Sequence, residues 1–512
     1  MEGVTSSAPP IAPPPRRSAF DAFSDRVRGS RVLDRRVQVW TPVLLTLFAG
    51  ILRFANLGTP SSLVFDETYY VKDAWSQWLL GYTANWPEGA DALFAQGDVP
   101  APLITGSFSV HPPLGKWLIG LGMWLLGPGD SVGWRVAVAT AGTLTVLVVY
   151  LIARTLTGST AVAAIAGGLM AIDGLAIVLS RIALLDGILA LFVALGSWFV
   201  LLDRRTHLER LRRALPAPGE EVSGPAWGPV FWNRPWLIAA GAALGAATAV
   251  KWSGLYVLAA LGLYVVVTDA LARRRLGIVQ WPVDAVRQGA AAFVLLVPVS
   301  AIVYLASWTG WLASAGGYGR AATSEGLGGA LASLWRYHES IYAFHVGLTT
   351  PHGYQSPAWQ WPLLVRPTSM YWHQSDDTVQ AVSSIPNPLI WWAGIAAALY
   401  LLYRFVRTRD AQSAFVLVAL AATYVPWLLY PERTIFQFYT VVMLPFLVIA
   451  IALAARRIAG SADADRRIAG QRVVTVFLVV CIVLSAFWYP VWTAMPVPYE
   501  FWRLHNWLPS WI

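Results

Sequence analysis

Two carboxylates stand side by side in Phe65-Asp66-Glu67, just beyond the first long apolar run, with Tyr69, Tyr70 and Lys72 following closely. A carboxylate held against a hydroxyl can take its proton as the oxygen attacks, and a neighbouring carboxylate can anchor a polar group of the substrate. The same residues also fit a plain helix start, with Asp66 as the N-cap. A second constellation, His111-Pro112-Pro113-Leu114-Gly115-Lys116, uses two prolines to fix the chain ahead of a helix. There His111 is a candidate positioning group and Lys116 a candidate contact for a lipid phosphate. A rigid helix start with a snorkelling lysine is the competing reading. Tyr70 and Asp186 join His111 and Lys116 as candidate substrate-positioning residues.

Four cations, Arg135, Arg181, Lys251 and Arg433, fall near the ends of apolar runs. A cation close to hydrocarbon is costly, rare and usually paired. Several at one depth suit a bound lipid phosphate, which they would hold through charge-assisted hydrogen bonds. Asp186 shortly after Arg181, and Glu432 beside Arg433, leave structural ion pairs open as the alternative. Among the four, Arg135 is the first candidate for the phosphate, because it opens an apolar run right after the first long connection, where a lipid phosphate head would lie, and its planar fork can make two hydrogen bonds to phosphate oxygens. Residues 312–385 hold four of the seven histidines, His338, His345, His352 and His373. His338 and His345 are spaced to share a helix face, yet no ligand spacing of known specificity is present, so no metal is expected and the histidines read as hydrogen-bonding residues of a loop.

The elements that must carry these groups are membrane spans. Of the 512 residues 56% are hydrophobic and only 13% charged, with mean hydropathy +0.54, against about 25% charged in an ordinary soluble domain. Eleven apolar runs, roughly 38–56, 134–154, 160–178, 182–202, 236–251, 254–271, 289–311, 386–403, 412–430, 435–455 and 473–490, predict an all-α integral membrane protein. The net charge of +9 sits in short connections between these runs, which points to membrane topology rather than nucleic acid. Most of the 37 lysines and arginines fall on one side when the N-terminus is put in the cytoplasm, so the C-terminus, residues 491–512, is expected outside. The first 37 residues, rich in proline and arginine, read as a disordered basic cytoplasmic tail. Lone Cys481 lies in an apolar run and excludes a disulfide framework or a cysteine metal site. Two connections are long and both are expected outside: 57–133, with amphipathic stretches at Tyr70–Leu80 and Pro113–Leu126 suited to interfacial helices, and 312–385. The membrane domain is expected over 38–490.

In that order along the chain, the motifs resemble those of the protein O-mannosyltransferases. The likeness runs through Phe65-Asp66-Glu67, His111-Pro112-Pro113-Leu114-Gly115-Lys116 and Arg135 at the opening of the second span. It continues with Ser180-Arg181-Ile182-Ala183-Leu184-Leu185-Asp186, Val250-Lys251-Trp252-Ser253-Gly254-Leu255, Phe438-Tyr439 and Pro445. The resemblance implies the C-type membrane glycosyltransferase fold in a plasma membrane and an inverting, metal-independent enzyme without cofactor. Such an enzyme moves mannose from polyprenyl-phosphate-mannose to Ser or Thr of exported proteins, which can be met as they emerge from the secretion translocon. It further implies Asp66 as base, Glu67 as the group that holds the acceptor or orients Asp66, and Arg135, Arg181, Lys251 and Arg433 around the donor phosphate. Eukaryotic members carry a β-trefoil-type domain in the loop that corresponds to 312–385, which is too short here to hold one; the chain looks like the smaller bacterial form. Two rivals stand beside this reading. A related lipid-phosphate-sugar transferase acting on a glycolipid or cell-wall polysaccharide would need a lipid-lined acceptor groove. A secondary transporter would show inverted repeats and broken midplane helices, and neither is visible.

Overall fold

The computed structural model describes residues 17–215, 225–322 and 326–512. Ser18 opens the first helix, α1 (Ala19–Gly29), with a capping box to Asp21. Ser30 then caps α2 (Arg31–Phe54). The expectation of a disordered tail through residue 37 is therefore corrected from residue 19 onward. Asp21 accepts from Arg467 Nε (3.2 Å) and Gln471 Nε2 (2.8 Å), which ties α1 to a distant helix. Residues 1–16 lie outside the described residues.

The first long connection folds into α3 (Glu67–Leu80), α4 (Ala90–Gln96) and α5 (Leu114–Leu126), so both amphipathic stretches are helical. Next come α6 (Ser131–Thr157), capped by Asp130, and α7 (Thr160–Ile172), capped by Ser159. The apolar run 160–178 is not one helix: Asp173 ends α7, and its carboxylate caps the short α8 (Gly174–Val178) through Leu175 N and Ala176 N. Four helices follow, α9 (Leu185–Arg213), α10 (Pro235–Val250), α11 (Gly254–Arg275) and α12 (Trp281–Ser307). Small residues let α10 and α12 touch backbone to backbone, as membrane helices do. A Cβ on Gly245 would stand 2.6 Å from the Ser300 carbonyl oxygen, and Ser300 Oγ donates to the Gly241 carbonyl at 2.8 Å.

The second long connection contains α13 (Thr309–Ala313) and α14 (Gly326–Gly347) and then two strands, β1 (Ser369–Ser375) and β2 (Thr378–Ser383). After α15 (Pro388–Thr408), α16 (Ala411–Tyr424), α17 (Leu444–Ala459) and α18 (Ala464–Trp492), the chain returns as β3 (Val497–Pro498) and α19 (Tyr499–Arg503). The strands form one antiparallel sheet in the order β1-β2-β3. The all-α expectation thus needs one amendment, a small sheet, and residues 491–512 are a folded edge of the domain rather than a loose tail. Arg366 Nη1 donates to the carbonyls of Ser510 and Ile512, both at 2.5 Å, and Trp511 is buried.

Each of the eleven predicted runs falls on helix, and eight helices among the described residues have the length and hydropathy to cross a membrane. The segments 160–178, 236–251 and 435–455 correspond to shorter helices, of 13 residues in α7 and 16 each in α10 and α17. The outward faces are apolar: on α18, Val476 is 62% and Val483 60% exposed. That is the inverse of a soluble surface and suits a lipid solvent, where every backbone group must be satisfied within helices.

Candidate active site

Glu67 is the keystone of the site. It is fully buried, and its carboxylate accepts four hydrogen bonds, from Arg135 Nε and Nη2 (2.8 Å each), Ala183 N (2.7 Å) and Val64 N (3.0 Å). Those bonds fix the first turn of α3 against α6 and the loop before α9. With its lone pairs taken up in this way, Glu67 holds the helix start and is not free to hold an acceptor backbone. Phe65, immediately before the pair, takes φ 49°, a left-handed conformation that costs about 1–3 kcal/mol in a bulky residue. Edge-on contacts with Phe436, Phe438 and His352 keep it there.

Asp66 is different in every respect. It occupies the N-cap position of α3 but makes no capping hydrogen bond, because its backbone is already helical (φ −71°, ψ −2°). The N-cap reading is thereby excluded, and the carboxylate is left half-buried and unsatisfied by its own helix. Burial pushes its pKa up to about 6, with Lys251 opposing the shift and Asp186 adding to it. A carboxylate poised there is a stronger base than an ordinary one and is still ionised at neutral pH.

Beside it lies a cavity of about 880 Å³. Its polar end is made by His111, Asp186, Lys251, His338, His345 and Arg433, while Leu189, Val193, Leu258, Val297 and Val442 line an apolar stretch. Trp335, Tyr342, Leu255 and Leu305 both line the cavity and are 46–68% exposed, so it reaches the surface between α14 and the adjoining ends of α11 and α12. Lys251 Nζ donates to Asp186 at 2.8 Å and stands 4.8 Å from the centre of the Tyr439 ring. Arg433 donates through Nη2 to His345 Nδ1 at 2.9 Å and lies over Trp427, while its Nε is buried without a partner. Neither alternative ion pair forms: Asp186 pairs with Lys251 and not Arg181, and Arg433 turns to His345 and not Glu432.

The ten residues singled out in the sequence therefore divide. Asp66, His111, Asp186, Lys251 and Arg433 converge on or beside the cavity, with Tyr70 against the His111 ring at 6.1 Å. Glu67, Arg135, Arg181 and Lys116 are engaged elsewhere. Arg135, besides its fork on Glu67, donates to the carbonyls of Leu57, Pro60 and Ser62 at 2.7–3.2 Å, which occupies the guanidinium. The expectation that it leads the phosphate contacts is corrected by that geometry. Arg181 donates to the carbonyls of Arg53, Ala55 and Asn56 and so closes the end of α2. Lys116 Nζ is bound to Ser109 Oγ (2.6 Å) and the His111 carbonyl (3.0 Å), with Asp73 at 3.7 Å; it positions the His111 loop and does not reach outward. His338, His345, Tyr439 and Trp252 also line the site or its wall; Trp252 and Tyr439 belong to motifs quoted above without a role of their own, and the two histidines, expected as hydrogen-bonding residues of a loop, lie on helix α14. The shared helix face of His338 and His345 was the available signal. Among the described residues no group of three His, Cys, Asp or Glu is gathered as a metal site.

An unpartnered carboxylate beside a lipid-sized cavity with cations at one end, on a frame of long apolar helices, fits a membrane glycosyltransferase. Comparison with known proteins agrees. Residues 103–214 match the family described as dolichyl-phosphate-mannose-protein mannosyltransferase, and residues 330–511 match the C-terminal four TMM region of protein-O-mannosyltransferase. A polyprenol-phosphate-mannose–protein mannosyltransferase of Mycolicibacterium smegmatis is 34% identical over 98% of this chain and 96% of its own length. One from Mycobacterium tuberculosis is 33% identical over 91% of each. The yeast Saccharomyces cerevisiae Pmt1-Pmt2 complex bound to the sugar donor superimposes with a TM-score of 0.70 at 16% identity, covering 92% of each chain. The fold is the C-type membrane glycosyltransferase fold. The chain belongs to the protein O-mannosyltransferase family.

Proposed function

We propose that this enzyme transfers mannose from a polyprenyl-phosphate-mannose donor to Ser or Thr hydroxyls of exported proteins, on the outer face of the plasma membrane, with its N-terminus in the cytoplasm. The observation that carries this is the placement of the free Asp66 carboxylate within electrostatic reach of Lys251 and Asp186, both of which line a cavity with a long apolar stretch. The names of the mycobacterial relatives support the donor and the protein acceptor. Acceptors would be met in extended form, as at the mouth of a secretion translocon.

In this reaction Asp66 takes the proton of the acceptor hydroxyl as the oxygen forms its bond to the anomeric carbon. The bond from that carbon to the phosphate oxygen breaks, and the electron pair leaves with the prenyl phosphate. Lys251 and Arg433 stabilise the charge that grows on the leaving group. His111 is kept neutral, since burial and then Lys251 push its pKa well below the usual histidine value, so it serves as a hydrogen-bonding wall and not as a third cation. A single displacement with no enzyme-bound sugar inverts the anomeric centre. The leaving phosphate is already ionised, so two side-chain cations suffice and no metal is required.

Because the phosphate gains charge in the transition state, Arg433→Ala should lower kcat by roughly 10²–10³-fold as well as raise the donor KM, on the scale of losing one transition-state donor. Arg433→Lys should recover part of that loss, lacking the planar fork. Steady-state kinetics with varied donor checks this. An unchanged kcat and donor KM in Arg433→Ala would place the phosphate elsewhere.

A further inference from the structure

His345 sits on α14, and its ring bridges two parts of the site. Nε2 lies 2.9 Å from the Val110 carbonyl oxygen, and Nδ1 lies 2.9 Å from Arg433 Nη2. A carbonyl can only accept, so Nε2 carries the hydrogen; a guanidinium can only donate, so Nδ1 presents a lone pair. The two partners therefore select one neutral tautomer. Burial, and next the Arg433 charge, push the His345 pKa down to about 4, which keeps the ring in that form. On the same helix His338 has the opposite arrangement. Its Nδ1 donates to the Leu334 carbonyl at 2.7 Å and its Nε2 accepts from Tyr304 at 2.6 Å. The orientation at His345 is thus a local property of its partners, not a habit of the helix.

Arg433 needs such a support. It arrives on an irregular segment between α16 and α17 and makes no salt bridge in the described residues; apart from His345 it has the Trp427 ring beneath it. Its Nε is buried and unpartnered. A buried donor left without a partner is costly, and this one leaves room for an acceptor that the protein itself does not supply. Resting on the functional reading above, we propose that His345 is the positioning residue of the donor-phosphate site: as the Nε2–H tautomer anchored to Val110, it holds Arg433 through Nδ1 so that the remaining guanidinium donors face the prenyl phosphate. It also links the Asp66-bearing first connection, through Val110 next to His111, to the phosphate-binding cation.

Two isosteres separate this role from a structural strap. Asn keeps an acceptor near the Nδ1 position and loses the bond to Val110; Gln keeps a donor near the Nε2 position and loses the acceptor for Arg433. The readouts are the donor KM in mannosyl transfer and the Kd of the full-length protein for farnesyl phosphate. His345→Gln is expected to raise both by about 10- to 100-fold, the scale of a hydrogen bond to a charged group, while His345→Asn stays within about threefold of wild type. In an Arg433→Ala background, His345→Gln should cost less than about threefold, because a residue acting through another has nothing left to position. An Asn variant no better than Gln, or a His345→Gln cost that persists without Arg433, would overturn the proposal. Wild-type protein that transfers mannose while the two substitutions act additively rejects the role of His345 alone. Wild-type protein that neither transfers mannose nor binds farnesyl phosphate rejects the functional reading and this proposal together.

Discussion

Asp66→Asn is expected to lower mannosyl transfer by roughly 10²–10⁴-fold, the usual worth of a general base, while the amount of folded protein in the membrane stays unchanged. The first half follows from chemistry: the amide keeps the size of the side chain and cannot accept the proton. The second half follows from the structure. Asp66 caps nothing, and the start of α3 is held by Glu67 and its four hydrogen bonds, not by the neighbouring carboxylate. The direction of the pKa agrees. In the fold Asp66 is raised from 3.8 to about 6, so the folded state favours its neutral form. Its contribution to stability is fully present below the unfolded value and is lost as pH rises through about 6. Replacing the charge with a neutral amide at pH 7 therefore removes no stabilising charge. Activity runs the other way, because the base must be ionised: kcat/KM should climb tenfold per pH unit up to about 6 and then level off. Near wild-type turnover in Asp66→Asn, or an acid limb centred near pH 4, would remove Asp66 from the proton transfer.

Arg135→Ala should abolish activity by a different route, through the fold. Arg135 and Glu67 are 1% and 0% exposed and share two hydrogen bonds at 2.8 Å, and Arg135 also gathers the carbonyls of Leu57, Pro60 and Ser62. Removing one member of a buried pair leaves the other charge uncompensated, a loss of about 3–5 kcal/mol. Glu67→Gln should be destabilising for the same reason, since it would turn an amide donor toward Arg135 or the Val64 and Ala183 N–H groups. A large drop in thermal unfolding temperature is expected for Arg135→Ala, with the residual folded protein still gaining the same stabilisation from prenyl phosphate as wild type. If Arg135→Ala unfolds like wild type but loses the stabilisation by prenyl phosphate, the arginine contacts the ligand after all. The four cations seen in the sequence would then have to be sorted anew.

That sorting shows what could be read in the chain and what could not. The apolar runs were plain, because a helix in lipid needs a long run of apolar residues and little else. The break at Asp173 was hidden, since an N-cap inside an apolar stretch changes the mean hydropathy very little. Strand β3 escaped because it comes from the far end of the chain, more than a hundred residues from β2, and two residues carry no periodicity; the β1–β2 hairpin lies inside a segment read only as a long connection. At the site, residue types pointed to the right neighbourhood: Asp66, Lys251, Arg433, His111 and Asp186 do gather. Their partners were not legible. Arg135 and Arg433 are alike in sequence, each a lone arginine at the end of an apolar run, yet one has its guanidinium engaged by a carboxylate and three carbonyls and the other keeps a donor unpartnered. Only the fold decides which arginine is surrounded by its own backbone. His345 was visible as a histidine on a helix face with His338, but its tautomer depends on Val110 and Arg433, both distant in sequence.

Transfer itself decides whether this chain mannosylates protein. Membranes containing the full-length chain are given radiolabelled polyprenyl-phosphate-mannose and an extended peptide bearing Ser and Thr, with EDTA present, beside matched membranes carrying Asp66→Asn. Label is expected on a peptide hydroxyl, with the anomeric configuration inverted relative to the donor, and near background in the variant. Label that stays with the lipid donor or appears on a glycolipid and never on peptide would contradict it, as would transfer that requires an added divalent metal.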